Sequence, residues 1–199
     1  MRRRRKSWKW AIEMAEQIVV LDSCVLYPAP LRDFLMHLAL LDLFQAKWTE
    51  AIHGEWIQSV LESRPDLTFE QLERTRNLMN SHIRDCLVED YKSLIETLNL
   101  PDKDDRHILA AAIHAKANVI LTFNLKDFPP KILAKYGIEA KHPDEFLVSL
   151  LETDAEKVSL AAERQRLSLK NPPKSREEFL QILRRQNLNE TCEILAKLF

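Results

Sequence analysis

Acidic side chains recur in this chain at four places where they could bind a divalent cation. The first follows an apolar run and the second lies within a helical pattern. The third precedes an alanine-rich segment, and the fourth follows a later apolar run. The residues are Asp22, Glu55, Asp105 within the cluster Asp102, Asp104 and Asp105, and Asp127 with the amide of Asn124 close by. Carboxylates that converge on one crevice repel one another, so they either take raised pKa values or recruit a cation. An all-oxygen ligand set favours Mg²⁺ or Mn²⁺ over zinc.

Each of these acids also has an ordinary structural explanation. An aspartate directly after a strand, such as Asp22, is commonly a turn residue or a helix N-cap. The apolar residues around Glu55 predict a helix with Glu55 near its inward side, but a solvated helix glutamate is an equal alternative. Acids at positions 102–105 complement the dipole of the helix predicted to follow them. Metal chemistry is therefore indicated by the accumulation of the four places and by none of them alone.

Composition excludes several other chemistries. The 199 residues include two glycines, Gly54 and Gly137, whereas a Walker loop or a dinucleotide fingerprint needs several glycines close together. We expect Gly54 to let a neighbour approach its helix closely and Gly137 to end a helix. The cysteines Cys24, Cys86 and Cys192 form no CxxC pair, so neither a disulfide framework nor a zinc site is indicated. The formal net charge of -1 predicts no chain-wide field that would attract nucleic acid or a membrane.

Strand and helix patterns alternate through the first part of the chain. Short apolar runs predict buried strands, and the stretches between them show helical periodicity. The predicted strands are residues 18–21, 86–89, 119–122 and 138–141, and the predicted helices are 31–44, 68–84 and 105–116. This alternation predicts an α/β fold with a central parallel sheet flanked by helices. In such sheets ligands bind outside the carboxyl ends of the strands, where Asp22, Asn124 and Asp127 are expected to lie.

The two ends of the chain have a different character. Beyond residue 142 the chain is predicted to be all helical, because a proline and acids open a helix at 143–145 and two capping boxes follow, at Thr153-x-x-Glu156 and Ser175-x-x-Glu178. Residues 1–16 begin with a basic run and are expected to form an arm or a first helix. Charges follow that run where a signal peptide is apolar, and no segment approaches the length of a bilayer span. We therefore expect a cytoplasmic protein without a membrane segment.

Four segments together resemble the motifs of one nuclease family. Residues 20–33 (VLDSCVLYPAPLRD) resemble the opening of a PIN domain, residues 101–112 (PDKDDRHILAAA) its third acidic motif, and residues 119–129 (VILTFNLKDFP) its closing motif. The segment 48–56 places Glu55 where the second acid of that family belongs. The resemblance covers about residues 17–146 and is strongest to VapC-type toxins with an added C-terminal helical region.

This resemblance implies a fold, an organisation and an activity. It implies a PIN-like three-layer nuclease domain at 17–146 and a small helical region at 147–199. In such an endoribonuclease Asp22, Glu55, Asp105 and Asp127 would be the catalytic acids that bind one or two Mg²⁺ or Mn²⁺ ions. Asn124 could replace Asp127 as the fourth site residue; we favour Asp127 for its charge and Asn124 as a polar ligand. Bound ions would activate water for hydrolysis of an RNA phosphodiester bond.

The resemblance also implies partners, and it has one departure. An RNA substrate and a small VapB-like antitoxin are expected, and a homodimer is a further expectation. Cys24 stands where the family more often has a small residue bearing an oxygen or an amide, and a thiol is a poor Mg²⁺ ligand. We therefore expect Cys24 to behave as a small buried hydrophobe.

Basic residues near the motifs could orient the substrate. Positive charges beside an acidic pocket would hold RNA phosphates, although each could equally be a solvated or helix-capping charge. These candidates are Arg32, Arg106, His107 and Lys126. Two other interpretations of the whole chain remain. One is a PIN-like module that binds RNA or protein without turnover. The other is a Mg²⁺-dependent phosphatase, but this chain lacks the Asp-x-Asp nucleophile motif of aspartyl-phosphate enzymes, because Cys24 stands where the second acid would be.

Overall fold

A four-stranded parallel sheet forms the centre of the part of the chain between residues 18 and 141. The computed structural model describes residues 17–199, so the predicted N-terminal segment 1–16 lies outside the described residues. The strands are β1 (Ile18–Leu21), β2 (Gln45–Lys47), β3 (Val119–Leu121) and β4 (Glu139–Lys141). Their order across the sheet is β2-β1-β3-β4, and every neighbouring pair is parallel. The predicted α/β class with a parallel sheet flanked by helices is confirmed.

Helices follow the strands in chain order. In the described part of the chain they are α1 (Ser23–Leu26), α2 (Ala29–Ala39), α3 (Glu50–Ser63), α4 (Phe69–His82), α5 (Lys92–Ile95), α6 (Arg106–His114), α7 (Pro130–Leu133), α8 (Pro143–Ser168), α9 (Arg176–Arg184) and α10 (Asn189–Leu198). Short 3-10 helices occur at Leu125–Asp127 and Ala134–Tyr136. Among residues 17–199, no helix combines the length and the apolar character that crossing a bilayer requires.

The chain divides into two compact units. The sheet unit consists of Ile18–Tyr27 and Gln45–His142, and the helical unit includes Pro28–Phe44 and Pro143–Phe199. In the sheet unit, α6 packs against β1 and β3. Its inward residues Ala110, Ala111 and Ala112 are fully buried, because small side chains let a helix lie close to a sheet. This packing brings the N-terminus of α6 to the sheet.

A buried polar network joins α3 to α4 in the sheet unit. The ring N–H groups of Trp48 and His53 both donate to Asn80 Oδ1, at 2.8 and 3.0 Å, and Trp56 Nε1 donates to His53 Nδ1 at 2.9 Å. Because Nδ1 of His53 accepts, its Nε2 carries the hydrogen. Trp48 and Trp56 are fully buried, so this network lies in the core.

The helical unit contains a kinked helix and two aspartates that cap helix starts. Helix α8 bends at Asp154, where φ is -148° and ψ is 74°, and Asp154 Oδ1 accepts the backbone N–H of Lys157 at 3.0 Å. The carboxylate of Asp144 accepts the backbone N–H groups of Glu190 and Thr191 at 2.9 Å each, so a residue of α8 caps the first turn of α10. These bonds satisfy donors that a helix start leaves unpaired.

The predicted edge of the sheet was wrong in two respects. β2 was not predicted, because Gln45 and Lys47 leave it without an apolar run and only Ala46 is buried. The segment 86–89 was predicted as a strand but forms a single parallel bridge between Trp48 and Leu87. Left-handed backbone conformations at positions 85 and 90, with φ of 50° and 56°, end the extended conformation on both sides.

Local helix signals had mixed outcomes. The Ser175 capping box is confirmed. The box predicted at Thr153 was wrong, because Asp154 caps the helix and the Thr153 hydroxyl donates to the carbonyl oxygen of Ser149. Gly137 ends the turn Ala134–Tyr136 with φ of 69°, as predicted. No neighbour approaches Gly54, since an added Cβ would meet nothing within 4 Å, so the expected close contact there was wrong.

Candidate active site

Asp22 stands directly after β1 and is held by three side-chain donors. Its carboxylate accepts hydrogen bonds from the Thr122 hydroxyl at 2.6 Å, the Cys24 thiol at 3.1 Å and the Ser23 hydroxyl at 3.2 Å, and only 3% of the residue is exposed. Although Asp22 occupies the N-cap position of α1, its side chain makes no capping hydrogen bond. The ordinary N-cap explanation therefore does not account for this aspartate.

Asp105 occupies the N-cap position of α6, and its side chain likewise makes no capping hydrogen bond. Burial, and then the negative charges of Asp22, Asp102 and Asp127, raise the pKa of Asp105 to about 6, while His107 acts to lower it. These charged groups come from separate segments of the sheet unit and lie close enough to Asp105 to affect its pKa. Acids from separate segments therefore influence the pKa of Asp105, and the convergence of all four acids on one site stays a prediction.

Thr122 connects the segment after β3 to Asp22. Its hydroxyl donates to Asp22 and accepts the backbone N–H of Asn124 at 2.9 Å. The chain then turns through the 3-10 helix Leu125–Asp127, which places Asp127 beside Asp105. Asn124 itself is exposed. Sequence reasoning missed Thr122, although a polar residue that ends a continuous apolar run was a usable signal.

Glu55 reaches the same region from α3. Its Oε1 lies 2.7 Å from His107 Nε2. Partial burial opposes ionisation of Glu55, but the hydrogen bond and charge of His107 hold its pKa below the usual value, and the Ser23 hydroxyl adds to this when it donates to Glu55 instead of Asp22. Ser23 is adjacent to Asp22 in the chain and His107 follows Asp105 by two residues, so these two contacts tie Glu55 to both aspartates.

Cys24 takes part in the hydrogen bonding around Asp22. The thiol donates to Asp22, and its sulfur accepts the backbone N–H of Phe123 at 3.3 Å. Burial, and then the charge of Asp22, raise the pKa of the thiol to about 12. The expectation that Cys24 behaves only as a hydrophobe was wrong, because it bridges the segments that follow β1 and β3 as a neutral donor.

The predicted basic residues differ in their surroundings. Arg106 donates to the carbonyl of Lys103 at 3.0 Å and pairs with Glu96 at 3.4 Å, so it stabilises the loop before α6. Lys126 is exposed beside Asp127. Arg32 lies on α2 in the helical unit, where it is 7% exposed, which leaves little of its surface for a phosphate.

The side chains present fit a divalent cation by their chemistry. Within residues 17–199 no three His, Cys, Asp or Glu side chains converge closely enough to enclose a metal ion. The aspartates whose charges act on Asp105 nevertheless offer oxygen donors, and those charges repel one another. A hard cation such as Mg²⁺ or Mn²⁺ takes such ligands and removes this repulsion.

The four-stranded parallel sheet flanked by helices is the fold of a PIN domain. Residues 18–126 match the PIN domain family, which is more than half of the chain, and the chain belongs to that family. Residues 143–197 match a second family, described as the VapC50 C-terminal domain. Nucleases of the PIN family typically use divalent metals.

One described protein is similar to part of the chain. The chain is 50% identical over 62 residues to a Mycobacterium tuberculosis protein described as "Putative ribonuclease VapC50". The aligned segment covers 31% of this chain and 36% of the relative, so it spans about a third of that protein's length. No solved structure matches the chain.

Proposed function

We propose that the protein is a metal-dependent endoribonuclease and the toxin of a type II toxin–antitoxin pair. The single observation that carries the proposal concerns Asp105, which stands at the N-cap position of α6 but makes no capping hydrogen bond. Burial and the charges of three neighbouring aspartates raise its pKa to about 6. A cluster of this kind costs stability unless a cation neutralises it. Membership of the PIN family and the similarity to the VapC50 protein agree with this proposal.

In this proposal the residues have distinct roles. Asp22, Glu55, Asp105 and Asp127 would hold Mg²⁺ or Mn²⁺, with Asn124 as a polar ligand. The ion, when bound, polarises the scissile phosphodiester and lowers the pKa of the attacking water. Thr122 and Cys24 orient the Asp22 carboxylate, and the exposed Lys126 would contact an RNA phosphate beside the acids.

The expected partners follow from the same proposal. The substrate would be RNA, and a small VapB-like antitoxin would cover the acidic region, with a homodimer as a further proposed assembly. A basic side chain of the antitoxin inserted among these carboxylates would neutralise them as a cation does. Arg106 and Arg32 are less suited than Lys126 to bind a phosphate, because one is paired with Glu96 and the other is buried.

Cleavage of a labelled, structured RNA by the purified chain tests the activity. We expect cleavage in Mn²⁺ or Mg²⁺ that stops with EDTA, and a loss of at least 100-fold in Asp22→Asn and Asp105→Asn, since each removes a charge from the ion-binding group. Asp104→Asn is the matched control, because Asp104 is exposed in the same turn, and it should cleave as the wild type does.

The outcomes separate the competing functions. Equal cleavage by wild type and both site variants would show that a contaminant is responsible. Binding of RNA without metal-dependent cleavage would replace the proposal by a non-catalytic binding module, and release of phosphate from a monoester without RNA cleavage would favour a phosphatase. For the toxin role, induced expression in a bacterial host should arrest growth with the wild type and not with Asp22→Asn; unimpaired growth with the wild type would contradict it.

A further inference from the structure

His107 lies in the first turn of α6, and its surroundings differ from those of the other basic candidates. Only 14% of its side chain is exposed, and its Nε2 lies 2.7 Å from Glu55 Oε1. An ionised carboxylate only accepts hydrogen bonds, so Nε2 carries the hydrogen and donates. Nδ1 is buried and has no hydrogen-bond partner among the described residues. Neither ring nitrogen therefore faces a solvent-borne phosphate.

We propose that His107 is a positioning residue that fixes the Glu55 carboxylate for cation binding, and that it does not contact RNA. This inference rests on the function proposed above. A glutamate has three side-chain torsions, and the Glu55 side chain is 42% exposed, so without support it would sample many rotamers. The bond from His107 holds Oε1 and thereby fixes the orientation of the carboxylate, as partners of ligating carboxylates commonly do.

The local sequence explains how one helix start serves two acids. Asp105 and His107 are separated by one residue at the beginning of α6, so the same turn presents a carboxylate and a donor that orients a second carboxylate from α3. Because α6 packs against β1 and β3, its position relative to the end of β1 is fixed by the core. The position of the Glu55 carboxylate relative to the sheet therefore depends on α6, through His107, as well as on its own helix α3.

Binding of Mn²⁺ alone, without RNA, tests this role. Titrations of the full chain followed by electron paramagnetic resonance of free Mn²⁺ would compare wild type with His107→Gln, which keeps a donor, and His107→Leu, which keeps comparable bulk without one. We expect the Leu variant to lose about 10- to 100-fold in Mn²⁺ affinity and the Gln variant to stay near wild type. His114→Leu, at the exposed end of the same helix, is the matched control and should bind as wild type.

A double-variant cycle distinguishes positioning from general structural support. If His107 acts through Glu55, His107→Leu should cause no further loss of Mn²⁺ affinity when added to Glu55→Gln. An equal loss in both backgrounds would overturn the role, and so would a Gln variant as weak as the Leu variant. Thermal melting of each protein verifies that it is folded, and a folded Gln variant keeps the comparison decisive even if the Leu variant is unstable.

The same titration separates failure of this inference from failure of the proposed function. If wild type binds Mn²⁺ and cleaves RNA while His107→Leu binds and cleaves equally well, only the positioning role is overturned. If wild type binds no Mn²⁺, or Asp22→Asn binds it as strongly as wild type, the metal-dependent function is overturned and the role of His107 with it.

Discussion

Removal of the Asp105 charge is expected to stabilise the metal-free protein at neutral pH. The pKa of Asp105 is raised from 3.8 to about 6, first by burial and then by its acidic neighbours. A difference of about 2 pKa units corresponds to about 3 kcal/mol, and solvent screening of this part-exposed group reduces the figure to about 1–2 kcal/mol. Asp105→Asn loses no cap, because the native carboxylate makes no capping bond.

The sign of the pH dependence follows from the raised pKa. Above pH 6 the Asp105 carboxyl is ionised in both the folded and the unfolded state, so the full cost of the folded-state repulsion is present. As pH falls through 6, the folded protein takes up a proton that the unfolded chain does not take up until about pH 3.8. The wild type therefore gains stability from this group between about pH 6 and pH 4.

Urea unfolding in EDTA at pH 7.5 and pH 5.0 measures both effects. We expect Asp105→Asn to exceed wild type by about 1–2 kcal/mol at pH 7.5, and this difference to narrow by about half at pH 5.0. Asp104→Asn, an exposed neighbour, should stay within about 0.5 kcal/mol of wild type at both pH values. An Asn variant less stable than wild type at pH 7.5, or a difference that does not change with pH, would refute the repulsion argument.

Three further outcomes test the packing. Gly54→Ala should raise stability by up to about 1 kcal/mol, seen as a higher Tm, because the position is an open, exposed helix interior. Asn80→Ala should cost about 2–4 kcal/mol in urea unfolding, since two ring N–H donors lose their acceptor, whereas the exposed Asn77→Ala should be nearly neutral. Asp144→Ala should cost about 1–2 kcal/mol and increase amide exchange at the start of α10; equal exchange in Asp144→Ala and the exposed control Glu145→Ala would contradict this.

The central strands and the acids were predictable because they carry local signals. β1 and β3 are continuous apolar runs, and the alanine-rich α6 has the composition of a helix that packs on a sheet. Parallel strands place their carboxyl ends at one edge, so the meeting of Asp22 with the residues after β3 followed from topology alone. β2 could not be found in this way, because its edge position leaves only Ala46 buried.

The supporting contacts depend on tertiary juxtaposition and carry no local signal. Thr122 orients Asp22 across neighbouring strand ends, and His107 reaches Glu55 across two helices. Neither distance follows from residue spacing, and the composition around His107 was equally typical of a solvated charge. The candidate acids could therefore be found from the sequence, while the residues that hydrogen-bond to them could be found only from the coordinates.

The helix N-cap positions in the described part of the chain differ between ordinary capping residues and the two aspartates of the candidate site. Thr49, Thr68 and Ser175 each accept a backbone N–H of the first turn that follows, a bond that contributes about 1 kcal/mol. Asp22 and Asp105 stand at the same position of their helices, are equally suitable caps, and make no such bond. At Asp105 the capping hydrogen bond is missing, and the neighbouring aspartates also repel the carboxylate. Rules of local stability are broken mainly where a site needs them broken, and a bound cation is the ligand that would compensate both losses at once.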